Sequence, residues 1–434
     1  MKAWERIYQS KITTPAEAIQ SVSDGDDIFL TGNCSVPQNL LGALVDRARA
    51  DAIHGVTIHQ ILTIGDADYV APEMAGKIRV NTMFISANVR GAVHEGRADF
   101  TPVFLNEVPK LFKQRIIPLD VALVHLSPPD EHGFCSYGVE VGLTKPAAES
   151  ARIIIAEVNE QMPRTLGNSF IHVSKLTHIV PVNYPIVEMP QGAPGDLEKA
   201  IGSHVAEMIP DGATLQLGIG SIPDGVLYFL RDKRDLGVHT EMFSDGLVDL
   251  VEMGVVTNER KTLHPGKIIA GFILGTQRLY DFVDDNAMVE FHPQDYVNDP
   301  FVIAQNDNMI AINSAIEVDL TGQVCADSIG PKLYSGVGGQ VDFVRGATRS
   351  KGGKPILALP STAKKGTISR ITPMLKPGAG VVTTRNDVHY VVTEFGVADL
   401  YGKTIRQRVE ALIGIAHPDF RADLRTQARK LGYI

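Results

Sequence analysis

DGDDIFLTGNCSVPQNLLGAL, residues 24–44, and DGATLQLGIGSIPDGVLYFL, residues 211–230, are two versions of one pattern. Each opens on an Asp-Gly turn, runs into a short apolar strand, crosses a loop of small residues and enters a helix at Ser-Val-Pro or Ser-Ile-Pro. One extra residue in the first loop brings Ser35-Val36-Pro37 over Ser221-Ile222-Pro223. Proline suits a helix start, because the N–H it lacks would be unpaired there anyway.

The flanks repeat as well. TTPAEAIQSV precedes the first copy, with Thr14 and Glu17 spaced as a capping box. GDLEKAIGSHVAEMIP precedes the second, and Leu197, Ala200, Ile201, Val205, Met208 and Ile209 fall on one helical face. Further on, SPPDEHGFCSYG (from Ser127) follows the apolar run VALVHL, as EVDLTGQVCADSIG (from Glu317) follows MIAINSAI. Matching order over several elements predicts two similar α/β domains, 1–186 and 187–434, joined through the Pro- and Gly-rich NYPIVEMPQGAPGD. Short apolar strands alternate with helical stretches, so the expected sheets are open, largely parallel and covered by helices on both faces.

Length and composition agree with two domains. A chain of 434 residues exceeds one ordinary core, and 44% hydrophobic with 21% charged residues describes a globular protein. A net charge of −9 argues against a nucleic-acid surface. Cys34, Cys135 and Cys325 are far apart and lack metal-ligand spacing, which predicts a reducing compartment, no disulfide framework and no metal. The start, MKAWERIYQSKITTPAEAI, has the pattern of neither a signal nor a transit peptide, and no apolar run nears the roughly 20 residues that span a bilayer. A cytoplasmic protein with no membrane partner is the expectation.

In open parallel sheets ligands bind beyond the carboxyl ends of the strands, and three such ends stand out in the second half. LGIGSIPDG (217–225) offers Gly218 and Gly220 before a helix, where bare backbone N–H groups can approach a ligand; Pro223 stands where a dinucleotide fingerprint has its third glycine. YSGVGGQVDFVRGA (from Tyr334) has Gly336, Gly338 and Gly339, enough small residues for donors to face a reacting oxygen. GVHTEMFSDGLVDL (237–250) puts Glu241 between a strand and a helix capped by Ser244-Asp245-Gly246. The matching stretch of the first half, GVTIHQILTIGDA, has no acid at that place, so one copy alone carries a carboxylate there. Each feature also has an ordinary reading: a tight turn, a flexible loop, a solvated glutamate. Asp130, Glu131, His132 and Cys135 suggest a metal, but the prolines and glycine around them fit a hairpin-like turn better. Arg345, Arg349, Lys351 and Lys354, and further on Lys364, Lys365 and Arg370, can meet phosphates or simply face solvent.

Taken together, GIGSIPDGVL, HTEMFSDGLVDL, YSGVGGQVDFVRGA and TEFGVADLYGKT, with LSPPDEHGFCSYG and NEQMPRTLGNSFIH of the first half, resemble the acetyl-CoA hydrolase/transferase family of class I CoA-transferases. The likeness runs over most of the chain and is nearest to members that use 4-hydroxybutyrate, acetate or butyrate. It implies two open α/β/α domains with the site between them, and Glu241 as nucleophile. It implies Asn298 (of YVNDP) and the Gly338 N–H as oxyanion donors. It implies CoA contacts from Gly218, Ile219, Gly220, Ser221, Ile222, Gly338, Gly339, Gln340 and Lys364. Coenzyme A enters as a substrate, with no tightly bound cofactor, and the resemblance suggests a homodimer. The loop Thr31–Pro37, with Ser35, is expected to face the glutamate and help select the acid. A hydrolase using the same residues, and a non-catalytic ligand sensor on the same fold, are the competing readings.

Overall fold

The computed structural model describes residues 2–190, 192–218 and 220–434. Its first compact unit spans Met1–Pro190 and takes in Ile269–Val297; the second comprises Gln191–Ile268 and Asn298–Ile434. A single cut at 186/187 therefore misses one exchange, in which a segment from the second half of the sequence packs with the first unit. Backbone bonds hold it there. The Val141 and Gly142 N–H groups donate to the Gly271 carbonyl at 3.1 and 2.9 Å, Asn168 N–H to Phe291 at 2.8 Å, and Gln294 N–H to Gly142 at 2.9 Å.

The first unit is built on seven strands: β1 Asp27–Leu30, β2 Val56–Gln60, β3 Ile78–Thr82, β4 Ala98–Phe100, β5 Val121–Leu126, β6 Ile153–Asn159 and β7 His178–Val182. They lie in the order β4-β3-β2-β1-β5-β6-β7, every pair parallel. VALVHL is buried at every position, the continuous apolar run expected of a strand covered on both faces. The second unit has β8 Thr214–Leu217, β9 Gly237–Val238, β10 Met309–Ser314, β11 Lys354–Ala358, β12 Tyr390–Thr393 and β13 Gly396–Asp399. Their order is β9-β8-β10-β11-β12-β13, parallel except for the last pair.

The sequence repeat is thus a repeat of topology. In each unit the first strand sits beside the second on one side and a later strand on the other, so the order of winding reverses there. Registers match too. Ile28 pairs with Ile58, and Leu215 pairs with Val238. Counting three residues on from Ile58 and Val238 sets Ile61 opposite Glu241, and Ile61 is buried.

Two local expectations need correcting or refining. In the helix Asp196–Glu207 the buried face is Ile201, Gly202, Val205 and Ala206, while Leu197 is exposed. The cause is a close approach: a Cβ on Gly202 would overlap the Gly225 backbone, and one on Gly225 would overlap that of Glu198. These two glycines let the helices Asp196–Glu207 and Ser221–Tyr228 touch backbone to backbone, which rotates Leu197 outward. Gly202→Ala should cost about 1–3 kcal/mol in urea unfolding despite alanine's better helix propensity. A stabilised variant would show that the helices are not in contact there.

The SPPDEHGFCSYG segment is a hairpin arm, as its turn residues suggest. Phe134–Ser136 pairs antiparallel with Phe170–His172, and Asp130 Oδ1 accepts the His132 and Phe134 N–H groups, both at 2.9 Å. Among the described residues no group of three or more His, Cys, Asp or Glu is placed to hold a metal ion, and no helix is long and apolar enough to cross a membrane. The Thr14–Glu17 capping box forms, with Thr14 N–H on Glu17 Oε2 at 3.1 Å and Glu17 N–H on Thr14 Oγ1 at 3.3 Å.

Candidate active site

Glu241 lies in the second unit, three residues beyond the end of β9. The ladder does not simply stop at Val238. His239 N–H still bonds the Leu215 carbonyl at 3.0 Å. The Thr240 hydroxyl then substitutes for backbone: it lies 3.1 Å from the Leu217 carbonyl and 2.8 Å from that of Met242, and accepts the Leu217 N–H at 3.3 Å. Thr240 is fully buried. It turns the chain off the sheet edge, so that Glu241 occupies the bend. A two-residue strand, Met242–Phe243, intervenes before the helix Asp245–Glu252, and Ser244 at the N-cap position makes no side-chain cap.

The outer edge of β9 is closed by side chains. Val238 N–H donates to Asn258 Oδ1 at 2.9 Å, and Lys261 Nζ donates to the Val238 carbonyl at 2.8 Å and the Lys267 carbonyl at 2.6 Å. Asn258 and Lys261 are both buried. An edge pair satisfied in this way has no free backbone to slip or pair elsewhere, and the bend that follows is held in place.

Two groups converge on the carboxylate. Asn298 Nδ2 donates to Glu241 Oε2 at 3.1 Å. The Gly339 backbone N–H faces the same carboxylate and favours its ionised form. Gly339 is the N-cap of the helix Gln340–Arg349, so the positive end of a helix dipole faces Glu241. A Cβ on Gly339 would overlap both the Glu241 carboxylate and the Asn298 amide. Glycine is therefore required there by proximity, whereas at Gly338 (φ +57°) it is required by backbone conformation. Glu241 is only partly exposed. Burial pushes its carboxyl pKa above the ordinary glutamate range, and the Asn298 amide and Gly339 N–H pull against that rise without cancelling it.

The remaining residues expected from the sequence divide. Gln340 follows directly, but its amide is engaged: Nε2 donates to the Ser314 carbonyl at 2.6 Å, and Oε1 accepts from the Thr383 hydroxyl at 3.0 Å. It pins the helix start to the end of β10. Gly218 directly follows β8; Ile219 lies outside the described residues; Gly220 (φ +110°) is the N-cap of the helix Ser221–Tyr228, which has no side-chain cap. Ser221 begins that helix, and Ile222 is buried. Lys364 stands exposed at the tip of the hairpin Thr362–Ala363/Ile368–Ser369, and makes none of the contacts that join Glu241, Asn298 and Gly339.

The matching loop of the first unit is built differently. There the N-terminus of the helix Gln38–Arg49 is filled from within: Glu157 Oε1 accepts the Leu40 N–H at 2.7 Å, and the Tyr184 hydroxyl donates to Glu157 Oε2. The anion site that a helix start creates is occupied by the protein's own carboxylate in one unit and uncapped in the other. Sequence reasoning missed Thr240, Asn258, Lys261 and Glu157. Threonine after a strand and lysine in a loop are ordinary, and only burial distinguishes them.

Comparison with known proteins follows the same outline. Residues 1–189 match the model of the acetyl-CoA hydrolase/transferase N-terminal domain, and residues 275–428 that of the C-terminal domain. The chain is 53% identical over 427 residues to the 4-hydroxybutyrate coenzyme A transferase of Clostridium kluyveri, covering 98% of this chain and 99% of that one. Among solved structures, RipA from Yersinia pestis superposes with a TM-score of 0.95 at 39% identity, over 100% of both chains. The 4-hydroxybutyrate CoA-transferase from Porphyromonas gingivalis gives 0.86 at 44% identity, over 99% of this chain and 100% of that one. A repeated open α/β architecture, a glutamate held by an asparagine and a glycine N–H, and two domain matches covering most of the sequence agree: the chain belongs to the acetyl-CoA hydrolase/transferase family.

Proposed function

We propose that the chain moves CoA between a short acyl-CoA, such as acetyl-CoA, and a small carboxylate, such as 4-hydroxybutyrate, through a glutamyl-CoA thioester on Glu241. It is a CoA-transferase. The observation that carries the mechanism is the pair of donors, Asn298 Nδ2 and the Gly339 N–H, resting on the Glu241 carboxylate.

The steps balance without net proton transfer. A Glu241 carboxylate oxygen attacks the thioester carbonyl, the C–S bond breaks, and CoA leaves as thiolate from an acyl-glutamyl anhydride. The thiolate attacks Glu241 Cδ, the anhydride C–O bond breaks, and the first acid departs as carboxylate. The incoming carboxylate reverses both steps, with ping-pong kinetics. When the thiolate attacks Cδ, the oxyanion forms on Glu241 itself. Donors already seated on its oxygens are then at the right place, and one such donor contributes about 3–4 kcal/mol. The Gly338 N–H is a candidate for the oxyanion of the acyl carbonyl. Gly218 to Ile222, Gly339, Gln340 and Lys364 are proposed to contact CoA, with the uncapped start of the helix Ser221–Tyr228 suited to an anionic group. By resemblance the enzyme works as a cytoplasmic homodimer and holds no further cofactor tightly.

A hydrolase would share these residues and differ in admitting water to the glutamyl thioester. Acetyl-CoA offered with and without 4-hydroxybutyrate separates the readings. Transfer is expected to outrun hydrolysis by a wide margin; hydrolysis unaffected by the acid would replace transferase with hydrolase, and no thioester exchange at all would favour the sensor.

The pH dependence has a defined sign. The nucleophile works ionised, so activity falls as pH drops through the Glu241 pKa. Burial raises that pKa, so the acid limb lies above the ordinary glutamate value of about 4.3. Asn298→Ala removes a donor to the ionised form and should move the limb to still higher pH in a kcat–pH profile. An unmoved limb would mean that Asn298 does not stabilise the ionised nucleophile.

A further inference from the structure

We infer that Asp342 is a positioning residue for this reaction: its carboxylate fixes which end of the Asn298 amide faces Glu241. The inference rests on Glu241 being the nucleophile. Asp342 lies in the first turn of the helix Gln340–Arg349, where an acid ordinarily faces solvent and complements the helix dipole. Here it is only 3% exposed. Its Oδ2 lies 3.4 Å from Asn298 Nδ2, the same nitrogen that donates to Glu241 Oε2 at 3.1 Å. An amide nitrogen carries two N–H groups and the amide oxygen carries none. The nitrogen can therefore serve both carboxylates at once, and the oxygen can serve neither.

Asn298 is fully buried, and its Oδ1 has no hydrogen-bond partner among the described residues. No hydrogen bond from the described residues holds the amide on its oxygen side. Orientation is decided on the nitrogen side, where turning the amide over would set its oxygen against the carboxyl oxygens of two acidic side chains. One of those groups is transient. Glu241 loses its charge when it becomes an anhydride or a thioester, and at that stage its own oxygen must next receive a hydrogen bond as Cδ turns tetrahedral. Asp342 forms no covalent intermediate, so its carboxyl group stays opposite Asn298 Nδ2 through the cycle. It is the group that can hold the Asn298 N–H in position while Glu241 is acylated.

Asp342→Asn tests this, because the new side chain has nearly the same shape but brings an NH2 that can donate to Asn298 Oδ1 and turn the amide over. The expected result is a fall in kcat of about 30- to 100-fold with KM for acetyl-CoA within about 3-fold. Asp342→Ala removes the acceptor without adding a competing donor, so its loss should be smaller, about 5- to 10-fold. An isostere worse than a truncation is not what a packing role produces. In an Asn298→Ala background, Asp342→Asn should cost less than about 2-fold more, since its effect passes through Asn298. Should Asp342→Asn fail to fold by thermal melt, Asp342→Ala carries the same cycle. A kcat within about 3-fold of the parent, or an equal loss with and without Asn298, overturns the assignment. Full activity of Glu241→Gln would instead remove the nucleophile reading on which it rests, whatever Asp342 does.

Discussion

Glu241→Gln should lower CoA transfer at least about 1,000-fold while leaving the fold as stable as before, or more so. The two halves of this expectation have one cause. The carboxyl is partly buried, and desolvation raises its pKa. A carboxyl whose folded pKa lies above its unfolded pKa favours folding when protonated. That contribution is present below the unfolded pKa and is lost as pH rises through the folded one, so near neutrality the ionised group opposes folding. Glutamine keeps the shape and removes the charge. Thermal melts near neutral pH and steady-state transfer measure the two effects. Incubation of the parent enzyme with acetyl-CoA, followed by borohydride, should reduce a thioester at Glu241; a mass change at another carboxylate would falsify the assignment.

Gly339→Ala is expected to abolish most activity, by about 100-fold or more in kcat, with a much smaller change in KM. The added methyl would overlap the Glu241 carboxylate and the Asn298 amide together. Neither the Asn298 amide nor the Gly339 backbone can yield easily. Asn298 is fully buried, and the start of the helix that carries Gly339 is pinned by Gln340 to Ser314 and Thr383. The carboxylate is the group that moves, and it moves away from the N–H that orients it. Gly338→Ala is a useful contrast, because the constraint there is a left-handed backbone. Activity of Gly339→Ala within about 3-fold of the parent would mean that the glutamate is not held against this helix.

Much of the architecture was legible in the chain because it is local. An Asp-Gly turn, an apolar run, small residues and a proline-opened helix are neighbours in sequence, and their duplication at residues 24 and 211 announced two units before any contact was known. Glu241 was legible as a departure from that repeat, and the structure sets a buried isoleucine, Ile61, at the matching register. The glycines before the helix at Ser221 and at 338 could also be read, since the positive φ of Gly220 and Gly338 acts at a single residue.

What the sequence could not supply depends on pairs of residues far apart along the chain. Nothing near Ile269–Val297 marks it as part of the first unit; its backbone bonds to residues around 140 and 168 decide that. Leu197 fits an apolar helical face by spacing, and is exposed because Gly202 and Gly225 bring two backbones together. The family resemblance implies Gln340 as a CoA contact, and only the fold shows that its amide also ties a helix to a strand end. Glu157 and Lys261 look like ordinary charges until burial gives one a helix terminus and the other two carbonyls. The sequence by itself determined the repeat, the open parallel sheets and the one carboxylate without a counterpart, because turn chemistry and hydrophobic patterning act over a few residues. Only the tertiary structure decided what that carboxylate meets, because Asn298 and Gly339 reach it, and Asp342 reaches Asn298, through packing, and packing is a property of the folded chain.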